Sequence, residues 1–315
     1  MSSCLSCYGA LGEGERDYHA SCSRAMFGSE QPPELPYSED DIATLAADVL
    51  RSQTVVTGVQ PKLSLHLTSA GSSAIAKRFT IVGLWGGFIL KPPTERYPGL
   101  PEVEHLTMRL AGMAGIATVP HCLMRLRSGS LAYLTKRVDR KGRGKLAMED
   151  MCQLTNRLTE HKYRGSYEQI AGTIQKYSAT PGLDVVNFFE VVLFCYLTGN
   201  ADMHLKNFSL LEKPGLGMVL SPAYDLVNTT LVNPSDTEQL ALTLRGKKKN
   251  LTQRDFTEAM SSVGLDQRQQ ENIFAKLKGA VPSWLAIIDQ SFLSDQMKSE
   301  YKQLIANRAE RFAQV

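Results

Sequence analysis

Residues 197–211 read LTGNADMHLKNFSLL. They come directly after the apolar run Val185 to Leu197, which reads as a buried helix interrupted by Asn187 and Glu190, and before a strand. Within the stretch, Asp202 is followed five positions later by Asn207. Eighteen residues further on, SPAYDLVN at 221–228 supplies a second carboxylate, Asp225, after another strand. Two carboxylates and an amide oxygen are hard ligands, suited to a small divalent cation that keeps several of its waters.

An Asp with an Asn five positions on is the spacing of a protein-kinase catalytic loop. There the Asp accepts the proton of the substrate hydroxyl, the Asn holds Mg²⁺, and a later Asp bridges metal to phosphates. Asp202, Asn207 and Asp225 fit those three places. Phosphoryl transfer spreads negative charge between two oxygens, so it also calls for a fixed positive group. Lys91 ends a strand in the N-terminal half, within the run Gly87 to Pro92, and Glu104 follows on a helix as its structural partner. At about 4 Å such a pair attracts by roughly 4 kcal/mol at an effective dielectric of 20, enough to orient a flexible lysine. Singly, Lys91 would read as a snorkelling edge lysine and Glu104 as a solvated helix residue. Together with the downstream Asp and Asn they favour chemistry. Kinases usually cover the phosphates with a loop rich in glycine, and TVVTGVQPK at 54–62 offers one glycine, Gly58.

Working outward, Leu63, Leu65 and Leu67 alternate with Ser64 and His66 as a strand, and Gly87 to Pro92 is a second. A helix is expected from Ser38, with Ile42, Leu45, Val49 and Leu50 on its apolar face, and another from Glu102 to Gly115. A strand near Leu131 to Val138 leads into a basic loop, beyond which helices dominate. The last has Ser294 as cap and Met297, Tyr301, Leu304 and Ile305 at helical spacing. The expected fold is α+β and two-lobed, protein-kinase-like: a Cys/His segment at 1–36, a strand-rich lobe at 37–140 and a mainly helical lobe at 141–315. The 315 residues divide into about two domains. A hydrophobic share of 43% and a charged share of 21% exclude wholesale disorder. A net charge of +3 is too small to draw the whole molecule to nucleic acid or anionic lipid. No run approaches the roughly 18 apolar residues of a membrane span, and the N-terminus lacks a secretory pattern, so the cytoplasm is the expected location and no membrane partner is expected.

At this point the resemblance becomes specific. The order Gly58-Val-Gln-Pro-Lys62, Phe88-Ile-Leu-Lys-Pro92, Lys136-Arg-Val-Asp-Arg140, Glu149-Asp-Met-Cys-Gln-Leu154, Gly199 to Phe208 and Pro222-Ala-Tyr-Asp225 resembles the HipA family, serine/threonine protein kinases that serve as toxins of bacterial toxin–antitoxin modules. The resemblance implies ATP and Mg²⁺ as cofactors. It makes Asp202 the catalytic Asp, Asn207 and Asp225 the Mg²⁺ ligands, and Lys91 the holder of the nucleotide phosphates. It places Thr57, Gly58, Val59, Gln60, Pro61 and Lys62 over ATP. Lys136, Arg137 and Val138 would form the hinge beside the adenine, and His204, Leu205, Lys206 and Tyr224 would complete the pocket. Thr57 matches the hydroxyl by which family members silence themselves through autophosphorylation; two positions earlier Val55 stands where the family often has a serine. Some fifty residues precede the loop, which resembles the short HipT type. That type implies a helix-turn-helix antitoxin and a small HipS-like protein as partners, DNA only through the antitoxin, and an aminoacyl-tRNA synthetase as the class of protein substrate. Two rival readings are a small-molecule phosphotransferase and a non-enzymatic component of a DNA-bound repressor complex.

Cys4-x2-Cys7 and His19-x2-Cys22, eleven residues apart, form a set of soft ligands that would close a structural Cys3His Zn²⁺ site. The alternative is a loosely ordered terminus. Cys122, Cys152 and Cys195 sit singly among apolar residues and read as small core hydrophobes. His204 reads as a nucleotide contact or loop brace, since the base role falls to Asp202. Arg245 to Lys249 reads as a solvated basic loop, and Ser69 to Ser73 as a hairpin loop.

Overall fold

The structure, a computed structural model, describes residues 2–42, 44–45, 62–69, 77–82, 86–141 and 144–312. The chain divides into two compact units. The first comprises Met1–His105, Val119–Arg137 and Gln290–Phe292. The second comprises Leu106–Thr118, Val138–Asp289 and Leu293–Val315.

The first unit is built on an antiparallel sheet of β1 (Leu63–Ser69), β2 (Lys77–Val82), β3 (Phe88–Lys91), β4 (His121–Arg125) and β5 (Leu131–Lys136), in the order β2-β1-β3-β5-β4. Period-2 alternation sets its faces: Leu63 and Leu65 are buried while His66 is exposed. Register follows, with Leu65 opposite Ile81 on one side and Phe88 on the other. Helix α1 (Ala20–Phe27) lays Met26 and Phe27 on the sheet and ends at Gly28, whose left-handed backbone (φ 70°) lets its N–H reach Arg24 O. Phe27 packs edge-on against Phe79 at 6.0 Å, and Phe79 against Phe88 at 5.2 Å. The first 36 residues fall within this unit. Leu5 O accepts the N–H of Leu123 in β4, and Glu34 exchanges backbone bonds with Lys77 and Phe79 in β2. At Ser38 the reciprocal bonds of a helix start are present, Asp41 N–H to Ser38 Oγ and Ser38 N–H to Asp41 Oδ2. Val49 and Leu50 lie outside the described residues, as does the tip of the β1–β2 hairpin at 70–76.

Helix α2 (Leu100–Met113) begins in the first unit and continues into the second. The second unit holds a three-stranded sheet of β8 (Met148–Asp150), β9 (Ser209–Lys213) and β10 (Gly217–Leu220), after a two-residue ladder of β6 (Arg140–Lys141) and β7 (Gly144–Lys145). Its helices are α3 (Met151–Leu154), α4 (Tyr167–Tyr177), α5 (Pro181–Thr198), α6 (Thr229–Val232), α7 (Gln253–Ser262), α8 (Gln267–Gln290) and α9 (Asp295–Arg311). Helix α5 is the axis: from Asp184 to Thr198 only Val186 and Asn187 escape burial. Beginning at Pro181, it is longer than the run Val185–Leu197. By length and composition alone it would suffice to cross a membrane, yet 72% of it lies inside the protein, where a helix apolar on all sides is expected. Its two buried carboxylates are both paired. Asp184 accepts from Ser178 Oγ and Leu220 N–H, and Glu190 meets Lys276 Nζ at 2.6 Å. Trp284 of α8 donates its indole N–H to Leu110 O, and Tyr301 of α9 shares a bond with Thr107, so the C-terminal half of α2 is locked into this unit.

Because Phe79 is fully buried among two other aromatic rings, Phe79→Ala is expected to lower the unfolding free energy by about 3–5 kcal/mol, measured by denaturant titration.

Candidate active site

The second unit carries the loop after α5. Gly199 caps that helix in the left-handed region (φ 81°), and a Cβ there would lie 2.6 Å from Asn228 Oδ1. Only glycine meets both conditions. The close approach is used: Thr229 Oγ1 donates to Gly199 O (3.2 Å) and accepts the N–H of Ala201 (2.8 Å), and Thr230 N–H also reaches Gly199 O. Asn228 itself caps α6 by accepting the Leu231 N–H at 2.9 Å. The loop bearing Asp202 is thereby pinned to the segment that follows Asp225 by three residues.

Within the loop, Asp202 N–H donates to Asn200 Oδ1 (3.0 Å), and Asp202 O accepts from His204 N–H (2.8 Å) and Asn207 Nδ2 (3.1 Å). The Asp-to-Asn spacing is therefore closed by a direct hydrogen bond. Asn207 spends its NH₂ on the loop, which leaves the amide oxygen, its only cation ligand, on the other arm. Met203 and Leu205 anchor the loop as buried side chains, and Tyr167 Oη donates to Met203 O at 3.1 Å. Asp202 is half-buried and its Oδ1 accepts a 2.6 Å bond from Tyr163 Oη.

His204 is buried and packs edge-on against Tyr163 at 5.0 Å. Burial pulls its imidazole down to about 4, against the opposing carboxylates of Asp202 and Asp225. At neutral pH the ring is uncharged, and its Nδ1 is buried without a hydrogen-bond partner among the described residues. Asp225 adopts φ 56°, in the left-handed region that Asp and Asn enter more readily than other non-glycine residues. Beside it, Tyr224 Oη bonds with Ser209 Oγ (2.6 Å) and donates to Lys206 O (3.0 Å). Burial pushes that phenol well above its ordinary range. Lys206 Nζ reaches Asp150 Oδ2 at 2.7 Å, and Asp150 in turn caps α3 in a reciprocal capping box with Gln153.

The first unit holds a pair of its own. Lys91, at the end of the central strand β3, puts its Nζ 2.5 Å from Glu104 Oε1, with both side chains almost wholly buried, and lies 5.4 Å from the Tyr133 ring centre. A buried pair of this kind holds only with close geometry. Lys136 is exposed, its N–H on Pro120 O, and Arg137 N–H reaches Gly87 O. The division between units falls between Arg137 and Val138. Lys62 is exposed, whereas Thr57, Gly58, Val59, Gln60 and Pro61 lie outside the described residues.

The structure thus brings Asp202, His204, Asn207, Tyr224 and Asp225 into one hydrogen-bonded and electrostatic neighbourhood, and joins Lys91 to Glu104 within the other unit. The sequence reading missed Tyr163, Asn200, Asn228 and Thr229. The Asn200-x-Asp202 step, typical of a side chain turning back on its own backbone, was the available signal for one of them. Tyr163 left none.

Residues 54–285 match the family of the HipA-like C-terminal domain, and the chain belongs to that family. Two relatives in Sinorhizobium fredii and Haemophilus influenzae carry kinase names. The first, Y4dM, is 29% identical over 76% of this chain and 60% of its own length; the second is 30% identical over 63% of this chain and 59% of its own. The chain therefore spans about three fifths of the curated relatives it matches. Among solved structures, HipA from the Shewanella oneidensis toxin–antitoxin complex with HipB and operator DNA superposes with a TM-score of 0.69. It is 20% identical, over 90% of this chain and 74% of that one. The Helicobacter pylori proinflammatory kinase CtkA gives 0.53 at 15% identity, over 71% and 87%. At these identities the likeness is one of fold: HipA-like and kinase-like, α+β, with a strand-rich unit and a mainly helical one.

Gly199→Ala would force a strained φ and a clash with Asn228. It is expected to cost at least about 2 kcal/mol, seen as a lowered denaturation midpoint.

Proposed function

We propose that the chain is an ATP- and Mg²⁺-dependent serine/threonine protein kinase of HipA/HipT type, acting in the cytoplasm as the toxin of a toxin–antitoxin module. The observation that carries this reading is the closed Asp202–Asn207 loop, with Asp225 held close enough to act on the same imidazole as Asp202. In this reading Asp202 accepts the proton of the substrate hydroxyl, and Tyr163, hydrogen-bonded to it, fixes the carboxylate in orientation. Asn207 Oδ1 and the Asp225 carboxylate would hold Mg²⁺; the donor set fits, since both offer hard oxygens and Asn207 has its NH₂ otherwise engaged. The ion would supply charge neutralisation on the phosphates. Lys91, held straight by Glu104, would bind the same phosphates, and the neutral His204 would brace the loop without adding a competing cation.

The remaining assignments rest on the resemblance to the HipA family and are part of the same proposal. Residues Thr57 to Lys62 would cover ATP, and Lys136 to Val138 would border the adenine. Thr57 would be the autophosphorylation site. Partners would be a helix-turn-helix antitoxin and a small HipS-like protein, with DNA engaged only through the antitoxin; HipA of the Shewanella complex, crystallised with HipB and operator DNA, supports the antitoxin partner. An aminoacyl-tRNA synthetase is the proposed class of protein substrate.

The test is intact mass before and after incubation with Mg²⁺-ATP, with peptide mapping. The wild type is expected to gain one phosphate on Thr57. Asp202→Asn is expected to transfer phosphate at least about 100-fold more slowly while still binding ATP. If the wild type starts unmodified, binds ATP and phosphorylates neither itself nor a protein substrate, the protein-kinase reading fails. Tyr163→Phe is expected to lower kcat with little change in the KM for ATP, because among the described residues the hydroxyl bonds the Asp202 carboxylate alone.

A further inference from the structure

The N-terminal segment contains a feature that phosphoryl transfer does not use. Between residues 2 and 19 the described backbone forms no helix or strand beyond one isolated bridge, Ser3 to Ala10. Yet Cys4, Leu5, Tyr8 and Tyr18 are buried there. A stretch with so little regular hydrogen bonding does not order itself by propensity. Something must close it.

The thiols of Cys4, Cys7 and Cys22 and one ring nitrogen of His19 all lie within 4.8 Å of one another. His19 Nδ1 is 3.3 Å from Cys7 Sγ and 3.8 Å from Cys22 Sγ. Around a tetrahedral zinc with ordinary bond lengths, sulfur and nitrogen ligands stand about 3.6 Å apart, and these two distances bracket that value. The histidine tautomer is also set. Nε2 lies 3.0 Å from Ala10 O, which only accepts, so Nε2 carries the hydrogen and Nδ1 turns its lone pair to the sulfurs. Glu15 Oε2, 3.9 Å from the same Nε2, reinforces that choice. The Cys4–Cys7 step is shaped as a tight knuckle: Cys4 N–H donates to Gly9 O, Tyr8 N–H to Cys4 O, and Tyr8 sits at φ 68°. Gly9 lets the imidazole lie against it, since a Cβ there would be 3.2 Å from His19 Cε1.

The geometry points to a structural zinc site in which Cys4, Cys7 and Cys22 Sγ with His19 Nδ1 complete a tetrahedron around one Zn²⁺. Three thiolates and an imidazole select a soft-to-borderline cation over Mg²⁺ or Ca²⁺, and four protein ligands leave no open position, so the role is to hold rather than to react. What it holds can be followed outward. Leu5 and Tyr18 both bond Leu123 O or N–H in β4, and Arg125 pairs with Asp17 at 2.9 Å. Tyr8 Oη lies 2.7 Å from His105 Nδ1, one residue beyond Glu104 in α2. The metal would therefore clamp the segment across the edge strand and against the N-terminal half of α2.

The test is metal analysis of the full chain purified under reducing conditions without added metal. One zinc per chain is expected, and Co²⁺ exchange should give the visible absorption of tetrahedral thiolate coordination. Cys7→Ser and Cys22→Ser should lose the metal, whereas Cys122→Ser, a buried thiol outside the four, should keep it. Removal of the metal from wild type by a chelator should lower the thermal midpoint, and zinc should restore it. This readout does not depend on phosphoryl transfer, so Asp202→Asn should behave as wild type. The proposal is overturned by a reduced, folded wild type that holds no metal, binds neither Zn²⁺ nor Co²⁺ and melts unchanged with chelator. It is equally overturned by a mass two hydrogens lighter, which marks a disulfide, or by iron in place of zinc.

Discussion

One shared set of hydrogen bonds, between residues 199–201 and 228–230, fixes the loop that bears Asp202 in the second unit. A loop outside regular structure must find partners for its own backbone groups. Here a single threonine hydroxyl, that of Thr229, donates to Gly199 O and accepts from Ala201 N–H. Asn228 closes the same region by capping α6 while pressing against Gly199. Asp202 starts one residue after this pin and Asp225 ends three residues before it, so both carboxylates are referenced to one rigid junction at the end of the most buried helix.

Electrostatics around that junction are mixed: the Asp202 and Asp225 carboxylates act on His204 together with the Lys162 ammonium, and Lys206 is paired with Asp150. His204 lies among the carboxylates but is kept neutral by burial, so it does not cancel their field. Asp225 holds a backbone conformation that costs free energy, and such strain persists only where the surroundings over-determine it. Tyr224, anchored to Ser209 and Lys206, supplies part of that determination from the preceding residue.

In the first unit the buried Lys91–Glu104 pair depends on two elements being correctly apposed, strand β3 and the start of α2. The strand is central in its sheet and fixed by neighbours on both sides. The helix start is supported differently, through His105, whose ring meets Tyr8 at 5.1 Å and His121 at 5.2 Å. The cysteine-bearing segment is thus part of the packing around the ion pair.

Spacing and alternation made much of this legible from the sequence: the Asp202 and Asn207 step, the carboxylate at Asp225, the strands around Leu63 and Phe88, the cap at Ser294 and the CxxC and HxxC pairs are all local patterns. Local pattern cannot report who lies across a fold. The hydroxyl of Tyr163 on Asp202 spans 39 positions, the Thr229 pin 28, and the Tyr8–His105 bond 97. Helix α5 begins at Pro181, four residues before the apolar run, and Asp184 is tolerated inside because Ser178 and Leu220 pair with it. Sequence by itself determined which residue types are present and at what local intervals, and so which chemistry the chain can attempt. Tertiary structure alone decided which buried polar groups find partners, because that depends on elements distant in the chain being packed together before any of those bonds can form.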